Sequence, residues 1–185
     1  KKILIVGAGA MGAAFSIPLL DNGHSVTLTE PYNFKLLKKL NSKKKNHPSL
    51  NINLPKKLKI NKFSSDILNR KWDLIVIAVS SIGIDLIGKN LSKIKNKSPI
   101  LVLTKGLKLD GRNLISMSSL LRKYNKNLNI SVLKGPCLAK ELAKKVKSFT
   151  VVANKNINTA KKIGKLISTN YYQTEFSRDV NGVEF

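Results

Sequence analysis

The chain has 185 residues, 42% hydrophobic and 24% charged, a composition that folds and that excludes an intrinsically disordered chain. No apolar run approaches the roughly 20 residues of a spanning helix, Lys1-Lys2 leads into too short an apolar run for a signal peptide, and the single Cys137 excludes an internal disulfide framework and a cysteine-based zinc site; a cytoplasmic protein fits. The net charge of +24 comes from 34 basic residues of which only Arg70, Arg112, Arg122 and Arg178 are arginine, and aromatics are 6%, so the lysine excess reads as composition bias and no nucleic-acid partner is expected.

Residues 2–6 form a short apolar run closed by glycine, which predicts a buried strand, and 10–22 carry apolar positions at helical spacing up to the Gly23 stop. Residues 25–29 alternate and are β-branched, a second strand. A basic helix is expected over 33–45. Residues 46–63 read as loop, with a short strand at 57–60. The strongest buried strand is 73–79, followed by helix 82–94, strand 99–103, helix 112–124, strand 130–134 and helix 137–145. Strand 148–153, helix 157–168 and strand 171–175 complete the pass. Strands alternating with helices predict an α/β fold: a doubly wound, largely parallel Rossmann-type sheet of about eight strands in one domain, 1–185.

The turn Gly7-Ala8-Gly9-Ala10-Met11-Gly12 is G-x-G-x-x-G, leaving a buried strand and opening a helix. Gly7 allows the tight turn, Gly9 removes a Cβ from the path of a pyrophosphate, and Gly12 lets helix and strand approach. A pyrophosphate there meets free N–H groups at the positive end of the helix dipole. Glu30, 18 residues after Gly12, ends the second strand, where a carboxylate hydrogen-bonds ribose hydroxyls and repels a 2′-phosphate. This favours NAD, with NADP possible because lysines such as Lys35 lie close by.

Lys105 ends strand 99–103, at the sheet edge where α/β proteins bind ligands, and could hold a phosphate or polarise a carbonyl. Gly135-Pro136-Cys137 lies between a strand and a helix; Cys137 is expected to line the site without acting as a nucleophile, since neither His24 nor His47 is placed as its base. His24 is expected to cap or pack, and His47, in a polar loop, to be solvated. Ser80 and Ser81 either touch the cofactor or cap helix 82–94. Trp72 reads as packing.

Together with this turn, Asn22-Gly23-His24, Ala78-Val79-Ser80-Ser81, Thr104-Lys105-Gly106-Leu107, Gly135-Pro136-Cys137-Leu138-Ala139-Lys140-Glu141 and Asp179-Val180-Asn181-Gly182-Val183-Glu184 occur in order. The chain thereby resembles the N-terminal part of NAD(P)-dependent glycerol-3-phosphate dehydrogenases, over its whole length. The resemblance implies interconversion of sn-glycerol 3-phosphate and dihydroxyacetone phosphate. It implies cofactor contacts at Ala10, Met11 and Ala139, a catalytic lysine beside cofactor and substrate at Lys105, and substrate contacts at Gly135 and Cys137. It also implies a homodimer of the full-length enzyme. The family usually has Ser or Thr where Cys137 stands, and bacterial members often have Trp near Thr29. In the family a helical C-terminal domain with a K-N motif, whose lysine is the proposed general acid, follows the G-V-E segment. That domain is absent from this chain, which is therefore expected to be the cofactor half of the enzyme. A ketopantoate-type reductase and a basic nucleic-acid-binding module of similar fold are the rivals. The T-K-G-L and G-P-x-x-A-K-E segments weigh against the first, and the arginine-poor composition against the second.

Overall fold

The computed structural model describes residues 1–95 and 97–185. The chain opens with β1 (Lys2–Val6), α1 (Ala10–Asp21), β2 (Ser25–Glu30) and α2 (Phe34–Leu40). A small finger, β3 (Asn46–His47) and β4 (Ile52–Asn53), precedes β5 (Lys59–Lys62), α3 (Ser65–Asn69) and β6 (Leu74–Ile77). After a single 3-10 turn at Ser81–Gly83 come α4 (Ile84–Leu91), β7 (Ile100–Val102), β8 (Leu107–Asp110), β9 (Asn113–Ser116) and α5 (Met117–Tyr124). The chain continues through β10 (Ile130–Lys134), α6 (Ala139–Ala143), β11 (Ser148–Ala153), α7 (Ile157–Ile167), β12 (Tyr172–Ser177) and α8 (Val180–Glu184).

Eight strands make one sheet in the order β12-β11-β10-β7-β6-β1-β2-β5. Pairing is parallel throughout except between β10 and β11, so β11 and β12 run against the other six. The expected doubly wound, largely parallel sheet is what the chain forms. Its core shows why the strands are apolar at every position. Ile3, Ile5, Leu74, Val76 and Leu101 pack on one face with Phe15 and Leu19 of α1, Leu142 of α6 and Ile163 of α7. Leu4, Val6, Ile75, Ile77, Ile100 and Val102 point the other way, onto Ile84 and Ile87 of α4, Met117 and Leu121 of α5, and Val180 of α8. Successive strand residues alternate sides, and both sides are covered by helices.

Three expected helices are shorter than their sequence spans. The helix of 33–45 stops at Leu40: Leu37 and Leu40 are buried, while Lys43, Lys44 and Lys45 that follow have no apolar face to bury. Helix 82–94 is the 3-10 turn plus α4, and helix 137–145 is only Ala139–Ala143. The first half of the expected helix 112–124 is instead a strand. Leu107–Asp110 and Asn113–Ser116 pair antiparallel around Gly111 and Arg112, with Gly111 at φ +62° in the first loop position, the placement a type II′ hairpin turn favours. Helix α5 begins only where the Ser116 side chain accepts the Ser119 N–H.

β1 lies inside the sheet between β2 and β6. The chain moves outward from β1 to β2 and β5, then crosses back to β6 and continues the other way. The carboxyl ends of β1 and β6 therefore flank a topological switch point, where open α/β sheets form their ligand crevice.

Candidate functional site

The glycine-rich turn sits at that crevice, and its three glycines answer to different constraints. Gly7 has φ +108°, and a Cβ on it would lie 2.6 Å from the Ala78 carbonyl carbon and oxygen, where the chain leaves β6. A Cβ on Gly12 would come within 2.0 Å of the Gly7 carbonyl oxygen. Both are glycine because the protein's own backbone fills the space. A Cβ on Gly9 would meet nothing within 4 Å. Its bareness answers no packing need and leaves a cradle open at the start of α1. Gly9 is the N-cap residue of α1 and makes no side-chain cap, so the first-turn N–H groups face the crevice with the positive end of the helix dipole behind them. This geometry fits the pyrophosphate of a dinucleotide.

Glu30 lies at the carboxyl end of β2, as its sequence position predicts, but is only 6% exposed. Oε2 accepts the Ala8 N–H at 2.8 Å, and Oε1 accepts the Tyr32 and Asn33 N–H groups at 2.9 and 3.0 Å. A carboxylate offers about four acceptor positions, so at most one remains for a ribose hydroxyl. Its negative charge stays at the site regardless. Beside it, Tyr32 donates its hydroxyl to the Gly83 carbonyl, and Ile82, 91% exposed, stands at the opposite lip beyond β6.

Deeper along the carboxyl ends, a cleft of about 290 Å³ is lined by Ala10, Met11, Ala78, Lys105, Cys137 and Ala139, among others. Five positions singled out from sequence thus meet on one cavity although they span 130 residues of chain. Lys105 is exposed and is shared with an adjoining cleft of about 330 Å³, lined also by Lys134, Gly135 and Glu184. The segment holding Lys105 is tied down on both sides. Thr104 is buried and its hydroxyl donates to the Val79 carbonyl at 2.8 Å, while Lys134 Nζ donates to the Thr104 carbonyl at 2.7 Å.

Gly135 lines the second cleft, but its missing Cβ is explained by β11: an added Cβ would lie 2.9 Å from the Phe149 carbonyl oxygen. Cys137 is buried, and burial pushes its thiol pKa up, with the Tyr172 and Ser148 hydroxyls pulling the other way. Ser80, at the N-cap of the 3-10 turn, makes no side-chain cap there.

Sequence reading missed two groups. Lys134 ends β10 half-buried; burial lowers its ammonium pKa, Glu184 raises it and Lys105 lowers it again. Its position immediately before Gly135 was the available signal. His47 corrects an expectation: it is 1% exposed, not solvated, because the β3–β4 finger folds it under the glycine turn. Its Nε2 lies 2.9 Å from the Ala8 carbonyl oxygen. His24 packs as expected, with Nε2 2.9 Å from the Leu166 carbonyl oxygen. Among the described residues no helix is long and apolar enough to cross a membrane, and no cluster of His, Cys, Asp and Glu could hold a metal ion.

The geometry has close counterparts. Over 99% of its length the chain is 34% identical to a glycerol-3-phosphate dehydrogenase [NAD(P)+] of Leptospira biflexa, covering 55% of that protein. It is 27% identical to the NADP(+)-dependent glycerol-3-phosphate dehydrogenase of Archaeoglobus fulgidus, again covering 55% of the relative. The chain therefore spans about half the length of the curated relatives it matches. The solved structure of a Plasmodium falciparum glycerol-3-phosphate dehydrogenase superposes with a TM-score of 0.87 at 18% identity, over 99% of this chain and 54% of that one, which shows the shared fold. The family described as NAD-dependent glycerol-3-phosphate dehydrogenase N-terminus matches residues 2–160, and the chain belongs to it.

Proposed function

We propose that the protein carrying this chain interconverts sn-glycerol 3-phosphate and dihydroxyacetone phosphate with NAD(H), and that this chain is its cofactor-binding part. The observation that carries the reading is the convergence of Ala10, Met11, Lys105, Cys137 and Ala139 on one cleft beside the open cradle at Gly9. Bound there, the nicotinamide cofactor supplies or accepts a hydride at the substrate's carbinol or carbonyl carbon. The Gly9 turn and the first-turn N–H groups of α1 bind the pyrophosphate. Ala10, Met11 and Ala139 give the cleft an apolar wall that keeps water from the reacting end. Lys105 presents its ammonium where the cofactor and substrate clefts join and stabilises charge developing on the substrate oxygen. Gly135 and Cys137 line the substrate side. The partner is this small phosphorylated substrate and not nucleic acid, in a cytoplasmic homodimer.

Fluorescence titration of the chain with NADH and NADPH tests the cofactor reading. NADH is expected to bind the tighter, because the buried Glu30 charge repels a 2′-phosphate near the adenine ribose. Equal or tighter NADPH binding would remove that role from Glu30. Substrate turnover by the protein, assayed with dihydroxyacetone phosphate against ketopantoate, tests the reaction.

Cys137 provides a separate check. Its thiol pKa is raised, so the reactive thiolate forms only above the range of a free cysteine, ordinarily about 8.5. Alkylation by iodoacetamide at pH 7.5 should be slower than that of free cysteine, and should accelerate only at more alkaline pH. Cys137→Ser is expected to keep activity within about threefold, as a lining role with similar side-chain volume allows. Abolished activity in a folded Cys137→Ser protein would show that the sulfur takes part in the chemistry.

A further inference from the structure

The centre of the glycine-rich turn is the residue that sequence motifs leave open, Ala8. Its two backbone groups are held from opposite sides by side chains distant in the chain. Glu30 Oε2 accepts its N–H at 2.8 Å, and His47 Nε2 lies 2.9 Å from its carbonyl oxygen. Each holder is itself fixed. The other oxygen of Glu30 accepts the Tyr32 and Asn33 N–H groups, and Nδ1 of His47 accepts the Leu50 N–H at 3.3 Å. A carbonyl oxygen can only accept, so a proton on Nε2 makes His47 the donor to the Ala8 carbonyl. His47 is 1% exposed and does not line the cofactor cleft.

The Ala8 N–H belongs to the peptide joining it to Gly7 and the Ala8 C=O to the peptide joining it to Gly9, so Glu30 and His47 fix the two successive peptide planes on either side of the Ala8 Cα. The peptide held by His47 leads directly into Gly9, the N-cap residue of α1. Its orientation therefore sets where Gly9 and the first-turn N–H groups point. The geometry points to His47 as a positioning residue for the dinucleotide: through the Ala8 carbonyl, and with Glu30 on the opposite side, it holds the pyrophosphate-binding turn in its binding form. This rests on the cofactor reading above. The pyrophosphate is common to NAD and NADP, so the contribution of His47 is shared equally by both, whereas that of the Glu30 charge is not.

The test compares His47→Asn with His47→Gln by NADH and NADPH titration of the protein, at a temperature where circular dichroism shows each variant folded. The glutamine amide nitrogen reaches about as far as Nε2 and can still donate to the Ala8 carbonyl; the asparagine amide cannot. Loss of one buried hydrogen bond predicts about tenfold weaker binding of both cofactors by His47→Asn, with their ratio unchanged, and near wild-type affinity for His47→Gln. That rescue separates positioning from bulk packing, which either substitution would disturb. Unchanged affinity in folded His47→Asn, or His47→Gln as weak as His47→Asn, overturns the inference. Should His47→Asn not fold, nitrogen NMR of the His47 ring in the unaltered protein decides. A proton on Nε2 alone, retained when NADH is added, supports the clamp; a proton on Nδ1 at neutral pH overturns it. Absence of NADH binding by the unaltered protein is a distinct result that defeats the cofactor reading and this inference with it.

Discussion

Gly9→Ala is expected to leave the fold intact and to weaken NADH binding by roughly 30-fold, about 2 kcal/mol, the scale of one charge-assisted hydrogen bond. Gly9 has φ −61° and ψ 179°, backbone that alanine adopts without strain, and the added methyl meets no protein atom within 4 Å. The methyl occupies space that only a ligand would use. Gly12→Ala is the opposite case. Its Cβ would lie 2.0 Å from the Gly7 carbonyl oxygen, and backbone cannot swing aside as a flexible side chain can. Alanine gains about 1 kcal/mol of helix propensity over glycine, but forcing β1 and α1 apart outweighs it. A net destabilisation of about 2 kcal/mol lowers the melting temperature by roughly 6 °C in a domain of this size, with NADH binding impaired as well. Thermal melts and NADH titrations of the two variants measure both effects. If Gly9→Ala melts early, or binds NADH as the parent does, the open cradle at the α1 N-terminus is not the pyrophosphate site.

The contrast between these glycines marks how far the sequence could be read. The motif named all three, because a buried strand, a glycine turn and a helix that is apolar nearly all round follow one another within residues 2–22, and each is a local signal. That Gly7 and Gly12 are crowded by backbone, Gly7 by Ala78, 71 residues away, and Gly12 by the Gly7 carbonyl, while Gly9 is open, could be read only from packing. The hairpin of β8 and β9 was harder. Leu107, Leu109 and Leu114 fit a strand alternation, and Asp110-Gly111 is a turn signal, yet neither strand packs into the main sheet and the helical pattern of α5 runs on from them. His47 carried no local signal at all. It sits among Asn, Pro and Lys, and its burial arises from a contact 39 residues away in sequence. For Cys137 the sequence offered only the lack of a nearby base; its burial on the cleft and the upward push on its thiol could be read only from the structure.

Lys105→Ala is expected to lower the rate constant at saturation by about 10²- to 10³-fold in the protein while changing NADH affinity by less than about threefold; the first figure is the usual cost of removing one preorganised donor to a developing oxyanion. Lys105 is exposed, which leaves its ammonium free to meet a substrate oxygen, but its backbone is not free. The Thr104 hydroxyl grips the Val79 carbonyl, and Lys134 grips the Thr104 carbonyl. Gly106 then turns the chain away at φ +115°. The result is a long cationic side chain on a fixed base, at the junction of the clefts lined by Ala139 and by Gly135. If dinucleotide affinity rests on the Gly9 cradle and the Ala8 clamp, as proposed above, binding and turnover should separate in this variant. Lys105→Arg should recover little of the rate, because a planar guanidinium fork has a different shape and donor geometry from a compact ammonium. Stopped-flow measurement of the hydride step, beside NADH titration, resolves the two. A Lys105→Ala protein that keeps its rate while losing NADH affinity would make Lys105 a cofactor anchor and move oxyanion stabilisation to another group.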